Sequence, residues 1–115
     1  MKENIILSKS RDFALNSVQL YKELLSNREY ILSKQYFRSA TSIGANVNEA
    51  TAGYSKKDFA SKMSIASKEA RESLYWLEII ESSGFTNFDC KNLKNDNEEL
   101  IRILTAIVKS CQVSS

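Results

Sequence analysis

The sequence predicts an all-α fold, an antiparallel up-down-up-down four-helix bundle, built as one domain over residues 1–115. Three observations carry that expectation. Apolar residues recur at helical spacing along almost the whole chain. There are no prolines and only three glycines, where average usage gives roughly six and eight. A chain so poor in turn-formers favours a few long helices. The stretches between periodic segments are short, and short connections force consecutive helices to run antiparallel. Hydrophobic residues at 43% and charged residues at 26% fit an ordinary globular chain, long enough to hide roughly two-thirds of its unfolded surface.

The first helix is expected over residues 9–27, with Phe13, Ala14, Val18, Tyr21, Leu24 and Leu25 on one face. Asn27-Arg28-Glu29 breaks its pattern. The second covers 31–53, with Leu32, Tyr36, Ala40, Ile43, Val47 and Ala50 in register and Gly53 as a left-handed cap. The third covers 56–83 and has the clearest start signal. Ser55 is a good N-cap, Asp58 follows three residues later, and Tyr54 and Phe59 occupy the two staple positions. Its stripe runs Phe59, Met63, Ala66, Ala70, Leu74 and Leu77, and Gly84 stops it. The fourth covers 90–112 and repeats the entry logic, with Asp89 as cap and Phe88 and Leu93 as staple. Leu100, Ile103, Leu104, Ile107, Val108 and Cys111 form its face.

Composition removes several classes of function. With no histidine, the chain has no Ser-His-Asp or Cys-His catalysis and none of the zinc, haem or iron sites that need imidazole. Di-iron bundles need Glu-x-x-His pairs, and neither phosphate-binding glycine motif is present. The Glu69/Glu72 pair suits acid–base work in principle, but Glu78, Glu81, Glu98 and Glu99 read as surface charge. No catalytic residue, cofactor or metal is expected. Cys90 and Cys111, if on one helix, lie about 30 Å apart and do not pair, so both read as thiols in a reducing cytoplasm. Cys111 sits on the core stripe, and Cys90, near a helix N-terminus, is a thiol for mild acidification. The apolar run Ile5-Ile6-Leu7 is too short for a signal peptide, and no stretch approaches the roughly twenty apolar residues of a membrane span.

The second and third helices carry too little solvent face for a lone bundle. Between Ser39 and Ser55 the only charged residue is Glu49. Small residues Thr41, Ala45, Asn48 and Ala52 lie opposite the apolar stripe. A polar ladder, Gln35, Arg38, Ser42, Asn46 and Glu49, occupies a third face. It is either a solvated side or a row buried between helices, where each group needs a partner. On the third helix, Glu69 and Glu72 share a flank with Ile65, Trp76 and Ile80, and Arg38 is placed to meet either carboxylate in a bidentate contact. The expectation is a homo-oligomer meeting through the Trp76 flank and the small-residue face. A net charge of +2 does not by itself imply nucleic acid. Lys57, Lys68, Arg71 and Tyr75 nevertheless share one exposed side of the third helix. That side is either plain solvated surface or a backbone-driven RNA or DNA site.

The run Gln35-Tyr36-Phe37-Arg38-Ser39-Ala40-Thr41-Ser42-Ile43-Gly44-Ala45-Asn46-Val47-Asn48-Glu49-Ala50 resembles the signature of the four-helix-bundle proteins of the 23S rRNA intervening-sequence family. Ser55 to Phe59, Ile65 to Glu72 and Tyr75-Trp76-Leu77 extend the likeness, which spans about residues 9–110. The resemblance implies an antiparallel bundle assembled as a pentameric ring. A related branch, the accessory proteins of diversity-generating retroelements, implies a reverse transcriptase and nucleic acid as partners. Around such a ring one modest basic patch becomes several.

Overall fold

The structure, a computed structural model, describes residues 2–53 and 55–114. The described residues form four helices, α1 (Lys2–Ser26), α2 (Leu32–Thr51), α3 (Lys56–Ser83) and α4 (Lys91–Ser114), joined by short turns, with no strand among them. They form a rod of 46 × 20 × 20 Å. Each helix packs on its sequence neighbours and α1 closes the ring on α4, while the diagonal pairs do not meet among the described residues. Cross-helix contacts set the directions. Ser17 meets Tyr36 and Ser10 lies beneath Gly44, Arg38 reaches Glu69 and Glu49 reaches Lys62, and Ser73 and Glu81 meet Asn97 and Lys94. In each pair, moving up one helix moves down the next, so all neighbours are antiparallel.

The buried seam has one rule on all four helices. It runs 6, 10, 13, 17, 20, 24 on α1 and 33, 36, 40, 43, 47, 50 on α2. It continues 63, 66, 70, 73, 77, 80 on α3 and 90, 93, 97, 100, 104, 107 at α4. Steps of three and four alternate, which is the heptad spacing of knobs-into-holes packing. Ile6, fully buried, opens the α1 seam, and this is why α1 begins at Lys2 rather than at 9. The face expected on α1 is correspondingly displaced. Phe13 and Leu24 are on the seam, but Ala14, Val18, Tyr21 and Leu25 are half-buried, and Tyr21 stacks on Phe37 of α2 with ring centroids 4.3 Å apart.

Several seam positions are polar, and each is satisfied. Ser17 and Tyr36 share a 2.6 Å hydrogen bond in the core. Burial pushes the Tyr36 phenol well above its usual pKa, and the bond to Ser17 only partly opposes this. Asn97 is fully buried. Its amide donates to the Ala70 carbonyl at 2.8 Å and its oxygen accepts from Ser73 Oγ at 2.7 Å. No buried side-chain polar atom among the described residues lacks a partner, as a low-dielectric core requires.

The helix ends confirm some expected signals and correct others. Ser55 Oγ accepts from the Asp58 amide at 3.0 Å, capping α3, and Gly84 takes the left-handed conformation at φ +79°. The Tyr54 half of the expected staple lies outside the described residues. Asp89 Oδ1 accepts from the Lys91 amide at 3.0 Å, and Phe88 and Leu93 both pack into the core cluster. Gly53 is not left-handed; α2 stops at Thr51 and Ala52 closes it at φ −94° with its amide bonded back to Asn48. The α1–α2 turn, where the sequence shows a break in the pattern but no cap, has the most elaborate cap. Arg28 sits at φ +64°, which turns Glu29 inward. Its carboxylate accepts from the amides of Ile31, Leu32 and Ser33 at 3.1, 2.9 and 2.6 Å. Three orphan donors of α2 are thereby met by one negative charge at the positive end of the helix.

Candidate functional site

Two outer faces of the rod hold the candidate residues, and α3 contributes to both. The first lies over the α2–α3 seam. Arg38 projects from α2 with 47% of its side chain exposed. It grips Glu69 with two bonds of 2.9 and 3.1 Å and Glu72 with one of 2.6 Å. Glu72 Oε2 also accepts from the Trp76 indole at 3.0 Å. The indole bond, then Arg38, holds the Glu72 carboxyl below the ordinary glutamate range. Glu69 and then Glu72 hold the guanidinium still further above its own high value. The expected bidentate partnership of Arg38 is therefore present within one chain.

The rest of the ladder lies on the surface of the single chain, not beneath it. Gln35, Arg38 and Glu49 are exposed, and Ser42 and Asn46 are half-buried. Ser42 Oγ donates to the Arg38 carbonyl at 2.6 Å and Asn46 to the Ser42 carbonyl at 2.8 Å, so these two turn back on their own helix rather than crossing to α3. Among the described residues the ladder crosses to α3 through Arg38 and through Glu49, which pairs with Lys62 at 3.0 Å. The reason is register: the buried positions are 39, 40, 43 and 47, and the ladder sits just outside them. Ile80 is also corrected. It is fully buried in the core, and Ile79, 36% exposed, takes its place on the flank beside Ile65 at 39%. Trp76 is half-buried, while Ala45, Asn48 and Ala52 are exposed.

The second face lies along α3 and α4. Lys57, Lys68, Arg71 and Tyr75 are all exposed, as the periodicity predicts. Arg71 reaches across to Thr105 Oγ1 at 3.0 Å. Reading the sequence one helix at a time missed Arg102 and Lys109 of α4, both exposed on this same side of the rod. The Ser73–Asn97 bond sets the register. Five residues back along α3 and five on along α4 bring Lys68 level with Arg102. From Leu100 onward α4 has no carboxylate, and the nearest one on α3, Glu69, is turned to Arg38. Lys57, Lys68, Arg71, Arg102 and Lys109 form no ion pair among the described residues. The stripe ends where exposed Glu78, Glu81 and Glu98 begin.

Elsewhere the chemistry is structural. Cys90 is buried, and burial, then the Glu81 and Asp89 carboxylates, pushes its thiol up. This reverses the acidification expected from the helix end, because desolvation outweighs the dipole. Cys111 is half-buried against the core. No group of three or more potential metal ligands occurs among the described residues. None of their helices is long and apolar enough to cross a membrane.

A crystal structure of a protein with unknown function from the S23 ribosomal protein family of Bacteroides thetaiotaomicron VPI-5482 has the same fold. The TM-score is 0.89 at 42% sequence identity, over 95% of this chain and 99% of that one. Among curated proteins none matches. The family model described as 23S rRNA-intervening sequence protein matches residues 2–106, which takes in all of the first three helices, the α2–α3 face and most of α4, with Lys109 of the second face beyond it. The four-helix fold and the near-complete span of that match agree, and the chain belongs to the 23S rRNA-intervening sequence protein family.

Proposed function

We propose that this protein is a non-enzymatic cytoplasmic homo-oligomer that binds the phosphate backbone of RNA or DNA through its α3–α4 face. The observation that carries the reading is the stripe of Lys68, Arg71, Arg102 and Lys109 across two helices, none of which forms an ion pair among the described residues. Subunits meet through the α2–α3 face. There Ile65, Trp76 and Ile79 of α3 flank the Arg38 cluster along one helix, and Ala45 and Ala52 leave α2 smooth enough for close approach. The ring of five is the number the family resemblance implies, and it multiplies the stripe by copies.

Light scattering at micromolar concentration tests the assembly. A pentamer of 13.0 kDa chains weighs about 65 kDa, and Trp76→Ala shifts it toward smaller species, as truncating an interface anchor does. A single 13.0 kDa species removes the assembly. Filter binding to structured RNA tests the stripe. Four phosphate contacts on a duplex give a log–log salt slope of about −3.6 per protomer. Lys68→Glu with Arg102→Glu should abolish binding at low salt, and wild-type protein that fails to bind at low salt ends the proposal.

A second reading is a scaffold for another protein, a reverse transcriptase among the partners that the resemblance implies. Exposed Tyr30, Ile31 and Phe85, at 61%, 74% and 51%, favour it, since they crowd the loop end of the rod outside both faces. A pull-down whose partners survive nuclease treatment separates this reading from tethering by RNA.

A further inference from the structure

We infer that the α3–α4 stripe takes single-stranded rather than duplex nucleic acid, with the exposed ring of Tyr75 as a stacking platform for one unpaired base. The inference rests on the nucleic-acid reading above and names its ligand. Tyr75 stands at the outermost position of α3, 54% exposed. Among the described residues Tyr75 is not one of those packed on the core cluster. The ring is nevertheless propped, because it meets Trp76 edge-on with centroids 5.1 Å apart at 69°. Trp76 is in turn fixed by its bond to Glu72. A rigid aromatic surface open to solvent is what an unstacked base needs. Arg71 lies one turn before Tyr75 and Lys68 two turns before it, so phosphates and base are served from the same helix.

The far side of Tyr75 decides between strand types. Glu78 follows one turn later and Glu81 the turn after, both exposed, while the Ser73–Asn97 register puts Glu98 of α4 level with Glu72. A duplex is stiff. Laid along the cations, it would carry its phosphates over these carboxylates, and its bases would stay stacked out of reach of the ring. A single strand can place a few phosphates on Lys68, Arg71, Arg102 and Lys109, lay one base on Tyr75 and turn away before the acidic end.

The experiment uses the full chain and two fluorescein-labelled probes at low salt, a mixed-sequence single strand of about twelve nucleotides and the same sequence as a duplex. Anisotropy should show the single strand bound about tenfold more tightly. Tyr75→Ala should lower that affinity about tenfold, Tyr75→Phe should preserve it, and neither should alter duplex binding. Trp76 is the only tryptophan, and its emission should be quenched by the single strand and not by the duplex. A salt slope of about −3 for the single strand is the signature of four contacts. Equal or tighter duplex binding, or an unchanged affinity in Tyr75→Ala, overturns the inference and leaves the stripe as a backbone site. Failure of both probes to bind overturns the nucleic-acid reading as well. Tyr75 is exposed, so its variants keep the wild-type far-ultraviolet dichroism.

Discussion

Replacing Glu29 by alanine removes the group that starts α2. Its carboxylate accepts from three backbone amides, at 3.1, 2.9 and 2.6 Å, and the residue is 6% exposed. The three donors are not equivalent. Ile31 is exposed and Leu32 half-buried, so water replaces much of what those two amides lose, at about 0.5–1 kcal/mol each. Ser33 is fully buried, and its orphaned amide costs about 1–3 kcal/mol. The total comes to about 3 kcal/mol. With an unfolding entropy of about 2.1 cal/mol/K per residue, that lowers Tm by about 12 °C for 115 residues. Thermal melts followed by circular dichroism, at one protein concentration because assembly makes Tm depend on it, read the effect. Glu29→Gln keeps an acceptor but loses the charge and should fall in between. A Glu29→Ala protein within about 0.5 kcal/mol of wild type would refute the argument, since that is the range of an unconstrained surface change.

Three further outcomes follow from the packing. Glu72 is held below the ordinary glutamate value of 4.5, by its bond from Trp76 and then by Arg38. A depressed carboxyl contributes stability that is present above its unfolded value and lost as pH falls through its folded one. Trp76 emission should therefore stay flat from neutral pH to 4.5, change only below that, and be flat throughout in Glu72→Gln; a transition centred above 4.5 contradicts the bond. Asn97→Ala removes both core hydrogen bonds that tie α4 to α3 and should cost about 2 kcal/mol in urea unfolding, against no change if that pair is dispensable. Gly44→Ala should raise stability by about 1 kcal/mol through helix propensity. The added methyl would meet Ser10 at 3.5 Å, an ordinary contact; a destabilised variant would mean that α1 and α2 are packed more tightly than this spacing.

Much of the fold was legible in the chain because a heptad seam is written in local spacing. α3 was bounded correctly at 56–83, since Ser55 and Gly84 act through their own backbone neighbours. The cap at Glu29 was not legible. Glutamate is not among the usual N-cap residues, and its carboxylate reaches the amides two, three and four residues on beside the left-handed turn at Arg28. The expectation that placed Ile80 on the Trp76 flank is off by one position, and Ile79 stands there instead. The seam spacing itself, three residues on from Leu77, puts Ile80 in the core.

The same division holds for the candidate site. Arg38 with Glu69 and Glu72 was foreseeable, because charge complementarity and the antiparallel α2–α3 hairpin leave those groups nowhere else to go. Lys57, Lys68, Arg71 and Tyr75 were readable as one face of a single helix. Arg102 and Lys109 were not, because their place beside Lys68 depends on how far α4 slides along α3, and no local spacing encodes that offset. By itself the sequence determined helix number, helix direction and which residues are apolar, since these follow from short-range sterics and periodicity. Tertiary packing decided the register between helices, through buried pairs such as Ser73–Asn97. Register in turn decides which charges from distant parts of the chain share a surface.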